Sequence, residues 1–219
     1  MRMRWRVIFA AAAATAAAGC NLFTPLFFFG EHKRRVPAEF SKLAGQNVLI
    51  LVWAQPETLF DYPHVRLETS IYLRDKLDAE LRTRKTQVDF VDPARVEDYL
   101  QRSLEASADP EAVGRRFDAS MVIYIELLEF QIRDPDAPDF LRGQAHASVA
   151  VYDLTAAADE TKRYELAPVT ARYPENQPLM INPTATRHVH EGLYVTFAEL
   201  VARKFYDYEE NLEDVDRPK

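Results

Sequence analysis

The chain has one cysteine, Cys20, and six glycines among 219 residues, and both scarcities narrow what it can be. A lone thiol cannot make an internal disulfide. Beyond Cys20 there is no cysteine at all, so the rest must hold together on its core alone. The glycines are scattered, at 19, 30, 45, 114, 143 and 192, which excludes a glycine-rich phosphate cradle. There is no G-x-S-x-G to mark a hydrolase nucleophile and no HExxH to place two imidazoles on one helical face. The net charge is −7, with no basic stripe, which argues against nucleic acid as a partner. No unbroken apolar run reaches the roughly 18–20 residues of a spanning helix.

The lone cysteine has telling surroundings. Arg2, Arg4 and Arg6 give a cationic start, residues 7–18 carry no charge, and Ala18 and Gly19 put small side chains directly before Cys20. A charged start, a short apolar stretch and a small-residue exit are the layout of a secretory signal peptide. The sequence "AAGC" at 17–20 resembles a bacterial lipobox, with Ala17 where that family usually has leucine. The resemblance implies cleavage before Cys20, a diacylglycerol on its thiol and acylation of the new amino terminus. Two or more acyl chains, at about 0.8 kcal/mol per buried methylene, hold a protein on a membrane stably. Two other readings stay open. Residues 7–29 are mostly apolar and closed by HKRR at 32–35, as in a transmembrane anchor, although Gly19, Asn21, Thr24 and Pro25 interrupt them. Simple secretion, with cleavage near Ala18, would leave a free thiol.

Without residues 1–19 the chain carries a charge of about −10, because three arginines leave with them. Phe23, Phe27, Phe28 and Phe29 follow the cysteine and suit either a membrane interface or packing on the domain. The basic cluster at 33–35 either meets anionic headgroups or lies in a solvated linker. The expected organisation is a signal peptide at 1–19, a lipid-anchored linker at 20–45, one domain at 46–208 and an acidic, disordered tail at 209–219.

Within the domain, NVLILVWA (47–54) is a strand buried on both faces. QPETLFDYPH (55–64) reads as a loop. Residues 65–84 form a helix with Leu67, Ile71, Leu73, Leu77 and Leu81 on one arc, marred by Arg74. TQVDFVD (86–92) is a short strand. Asp92-Pro93 and Asp109-Pro110 each start a helix, since Asp caps and Pro needs no partner for an N–H. SMVIYIELLEFQI (120–132) is a strand that alternates in its second half. After the Pro/Asp loop at 133–143 come strands at 144–154 and 164–173, the second carrying Pro168 and so lying at an edge or a bulge. A long loop at 174–183 leads to a final helical element over 183–208. The order β-α-β-α-α-β-β-β-α predicts an α/β fold: a single mixed β-sheet with helices packed on it.

The segment DPEAVGRRFDASMVIYIELLEF resembles one shared by the curli-secretion lipoprotein, the penicillin-binding-protein activator lipoprotein B and the TolB amino-terminal domain. The match is Phe117-Asp118-Ala119 followed by the apolar strand from Met121 to Leu127, and the pattern extends over about residues 46–173. The resemblance implies an envelope domain that binds other proteins, and it carries over no catalytic residue.

Candidate chemistry is sparse. His188 and His190, beside Glu191, are the best metal candidates, but two residues apart on a helix they point about 200° apart. His146 falls in a strand. Glu126 is a carboxylate inside an apolar strand, where it meets an arginine such as Arg74, marks a bulge or does acid–base work. The expectation is a non-enzymatic envelope lipoprotein with Cys20 as its lipid-attachment residue, needing no metal or cofactor, on the periplasmic face of the outer membrane. Asn21 takes the place of the Asp that retains enteric lipoproteins in the inner membrane. Its domain would dock on a secretion, cell-wall or transport partner through the 133–143 and 174–187 loops. The alternative is an envelope enzyme or small-ligand binder that uses the 174–187 loop as a lid.

Overall fold

In a computed structural model, the structure describes residues 33–102, 109–157 and 162–211. The chain divides into two units: the described part of one is Lys33–Val36 with Glu209–Asn211, and the other is Pro37–Tyr208. In the first, strand β1 (Lys33–Val36) pairs with β8 (Tyr208–Asn211) in a two-stranded sheet. Lys33 pairs with Glu209 at 4.0 Å and Arg34 with Glu210 at 2.8 Å. The acidic tail therefore begins as a strand, and part of the basic cluster at 33–35 is matched by its acids.

The larger unit is the α/β fold expected: a mixed sheet with helices on it. Its strands are β2 (Asn47–Ala54), β3 (Asp89–Phe90), β4 (Met121–Arg133), β5 (Phe140–Asp153), β6 (Arg163–Tyr173) and β7 (Leu179–Met180). The order is β3-β2-β4-β5-β6, with β7 on the start of β5. β2 runs parallel to β3 and β4, and β5 runs antiparallel to β4 and β6. The short strand expected at 86–92 keeps only two paired residues, Asn47↔Asp89 and Val48↔Phe90.

Two helical layers cover the sheet. On one face lie α2 (Val65–Thr83) and α5 (Pro183–Ala202), which enclose Val48, Ile50, Val52, Ile123, Ile125 and Leu127 of the sheet. On the other, α3 (Pro93–Arg102) and α4 (Pro110–Arg116) close over Leu49, Leu51 and Val122. β2 from Val48 to Val52 and the first half of β4 are buried on both faces, which is why they read as unbroken apolar runs. The start signals at Asp92 and Asp109 work as anticipated: Asp92 accepts from the Ala94 N–H and Asp109 from the Ala112 N–H, both at 3.0 Å. Asn182, which was not singled out, caps α5 in the same way, accepting from the Ala185 N–H at 2.8 Å.

Local differences have physical causes. The loop expected at 55–64 contains a short helix, α1 (Pro56–Asp61), that buries no residue, so no apolar period announced it. α2 turns Val65, Thr69, Ser70, Leu73, Leu77 and Leu81 inward, while Leu67 and Ile71 are only half-buried. This helix packs against both α5 and α3, so it has two inward sides, and one of them holds the buried Arg66–Glu97 pair at 2.7 Å. The last helix stops at Ala202 and tightens into a 3-10 turn over Arg203–Phe205. Pro168 sits on the edge strand, at the register shift between Ala147↔Val169 and Val149↔Leu166.

The stretch read as linker contributes to the core. Phe40 and Leu43 are almost fully buried, and Phe40 meets Tyr164 and Phe205 edge-on. Phe40→Ala should lower the stability of the full chain by about 3–5 kcal/mol, as loss of a buried aromatic does; chemical denaturation checks this. Gly192 supplies the second test. A Cβ there would stand 2.1 Å from the Tyr173 ring. Gly192→Ala should cost about 1–3 kcal/mol through overpacking, and the loss should shrink in the Gly192→Ala, Tyr173→Ala double variant.

Candidate functional site

The chain enters and leaves the Pro37–Tyr208 unit at one end of the sheet. The Ala38 N–H donates to Asp207 Oδ1 at 3.0 Å, and the Phe40 N–H to the Lys204 carbonyl at 3.0 Å. Phe40 lies against Tyr164, beside the start of β6, so this is the end where β2 and β4 begin. An open groove at the same end is lined by Gly45, Asp78, Arg82, Lys85 and Asp89 among others.

The opposite end is built from the two long loops. The 134–139 turn is fixed by Asp134, whose N–H donates to the Phe140 carbonyl and whose carboxylate accepts from the Asp136 N–H. Arg142 ties the two loops together. Its Nε lies 3.5 Å from Asp134 Oδ2, and its Nη2 donates to the Asn176 carbonyl at 3.4 Å. β7 then lies on β5 through Phe140↔Met180 and Leu141↔Leu179. Leu141, Ala185 and Val189 bury a small core below this, with Ile132 and Leu179 against it. α1 reaches the same end, for the Ile132 N–H donates to the Tyr62 hydroxyl at 3.3 Å. Apolar side chains stand in solvent here: Phe60 is 85% exposed and Met180 73%, with Ile181 and Phe140 also exposed.

The residues singled out by sequence do not converge. Cys20 lies outside the described residues. His188 Nε2 is 2.8 Å from the Tyr173 hydroxyl and exposed. His190 instead turns among Tyr62, Phe130 and Tyr194, at ring distances of 5.0 to 6.1 Å. Among the described residues, no three His, Cys, Asp or Glu side chains are grouped to hold a metal ion. His146 meets its cross-strand neighbour Thr170 at 2.9 Å.

Glu126 is half-buried and accepts from Ser148 Oγ at 3.3 Å, so the anticipated Arg74 partner is wrong. Arg74 bonds to Asp75 instead. The bulge lies just beyond Glu126, between Leu127 and Glu129. Burial, and then the Glu126 charge, push the neighbouring Tyr124 hydroxyl up to about 12. Trp53 was missed. It sits in a strand taken as buried on both faces, yet it is half-exposed beside Glu126. The signal was available two strands away, in β5, where Gln144, His146 and Ser148 alternate with alanine and valine.

Among the described residues, no helix is long and apolar enough to cross a membrane. No protein family and no curated protein matches the chain. Solved structures similar to it include a PelC dodecamer from Paraburkholderia phytofirmans, at 9% identity and a TM-score of 0.42, over 80% of this chain and 96% of that one. They also include lipoprotein GNA1162 from Neisseria meningitidis, at 14% identity and a TM-score of 0.37, over 70% of this chain and 98% of that one.

Proposed function

We propose that the protein is a lipid-anchored bacterial envelope protein, without enzymatic activity, whose α/β domain docks on a protein partner through the end formed by α1, the 133–143 loop and the 174–187 loop. The observation that carries this is the gathering of exposed apolar side chains at the end of the sheet remote from the chain's entry. β4 spans thirteen residues, or about 43 Å at 3.3 Å per residue. A tether on Cys20 feeds into the Pro37 end, so Phe60, Phe140, Met180 and Ile181 lie at the end where the tether does not attach. Large exposed apolar groups in a cluster mark an interaction site. The 174–187 segment is held by β7 and by the Arg142 bridge, which suits a fixed contact surface better than a lid.

The anchor in this reading is Cys20, on the strength of the AAGC sequence and the layout before it. Asn21, in place of Asp, favours the periplasmic face of the outer membrane. Cys20→Ser should yield a protein with no acyl label that leaves the membrane fraction. If the variant stays in the membrane and keeps residues 1–19, the anchor is a spanning segment.

Docking is tested by Phe60→Glu combined with Met180→Glu. Both side chains are exposed, so thermal stability should change little. Crosslinking in cells should lose its partner species, and complementation of a deletion strain should fail. Full complementation by this variant would sink the docking reading.

A further inference from the structure

The outer face of the sheet is only half covered among the described residues. α3 and α4 close over Leu49, Leu51 and Val122, at the start of β2 and β4. Further along, Trp53, Glu126 and Ser148 form one row, since Trp53 pairs with Glu126 and Glu126 with Ser148. The bulge at Leu128 then shifts the register by one residue, so Glu129, opposite His146, stands on this same face. Tyr124 borders the row on its inner side, edge-on to Tyr152 at 6.1 Å.

The charges on this face are unbalanced. Among the described residues Glu126 accepts only from the Ser148 hydroxyl. Glu129 accepts from the amides of Gln131 and Gln144, at 2.8 and 3.4 Å. Among the described residues neither carboxylate has a cation within ion-pair distance, whereas Asp75, Asp78 and Glu80 of α2, Glu97 of α3 and Glu199 of α5 are each paired. Both glutamates are half-buried, so part of their hydration is gone. Arg172, the cation on this face nearest in register, pairs across from Gln144 on the edge strand and is exposed.

We infer that this row is a seat for a basic side chain: a lysine or arginine of the docked protein, set between the Trp53 indole and the Glu126 and Glu129 carboxylates. Aromatic faces attract ammonium and guanidinium groups, and tryptophan does so best. Two carboxylates without cations supply the complementary charge, and such pairing sets register and encounter rate between proteins. The inference rests on the docking reading and gives the chemistry of one contact in it, on the face that adjoins the apolar end.

The test uses the full-length lipoprotein in detergent and a labelled octapeptide of alternating lysine and arginine. Binding, followed by peptide anisotropy, should saturate and should alter the Trp53 fluorescence. The Glu126→Gln, Glu129→Gln double variant should bind about tenfold more weakly. The Glu209→Gln, Glu210→Gln variant makes the same change of charge on β8 and should bind as the parent does. Trp53→Leu should weaken binding about threefold, and it carries the test should the glutamate variant fail to fold. Equal weakening by the β8 pair would reduce the effect to bulk charge and overturn the assignment. Absence of saturable binding would overturn it too. So would a glucosamine oligosaccharide that binds more tightly than the peptide through the same glutamates, because the occupant would then be a glycan. If peptide binding fails while Phe60→Glu, Met180→Glu still abolishes crosslinking, the docking reading survives without this seat.

Discussion

β4 is the strand on which the other elements depend. It pairs parallel to β2 through seven successive residues and antiparallel to β5 along most of its length. From Met121 to Ile125 only Tyr124 escapes full burial, so both helical layers must be in place for this strand to lose water on both sides. Its second half is different. Past Leu127 the bulge turns Leu128 out, and the outer face becomes glutamate and glutamine while Phe130 stays in the core. One strand thus sets where the fold is sealed and where it is open.

Two polar contacts hold the layers around it. Arg66 and Glu97 join α2 on one face to α3 on the other, past the edge where β3 has only two residues. Removing one partner of such a buried pair costs about 3–5 kcal/mol, while replacing both with apolar groups is often neutral. The pair therefore fixes how the helices meet more than how firmly they hold. At the opposite edge, Glu39 accepts from buried Lys204 and from the Ala167 N–H, both at 2.8 Å. That contact occupies an edge donor beside Pro168, and together they blunt a strand that would otherwise invite pairing. The price of a lone charge at Lys204 is met by the same carboxylate.

How much of this was legible follows from what each residue reports locally. VLILV and MVIYI declare themselves because burial on both faces leaves no charged residue in either run. Asp92, Asp109 and the prolines after them mark helix starts because capping is a contact within four residues. β8 was illegible: its strand character depends on β1, more than 170 positions away. Phe40 and Leu43 were hidden for the same reason, as single apolar residues in a polar stretch; the rings Phe40 meets, Tyr164 and Phe205, lie more than 120 positions away. The histidines were legible as residues but not as chemistry. His188 and His190 look like a pair in sequence, and helical geometry sends one to Tyr173 and the other into an aromatic cluster.

The arrangement of the sheet also decides which parts of the surface are free for a partner. The chain enters Pro37–Tyr208 at the end where β2 and β4 begin. In Pro37–Tyr208 that end is also the one where α5 finishes and the groove opens, and its side chains are charged. Phe60, Phe140, Met180 and Ile181, four of the six large apolar residues exposed among the described residues, fall at the other end because β2 and β4 run parallel, so that α1, the 133–143 loop and β7 all follow strand ends pointing the same way. In a parallel pair the loops after the strands converge, and ligand sites collect there for that reason. Antiparallel β5 and β6 then return the chain to the same edge with the 174–187 segment. The exposed phenylalanine and methionine side chains and the uncompensated glutamates thus share one half of the domain as a consequence of strand direction, before any partner is considered.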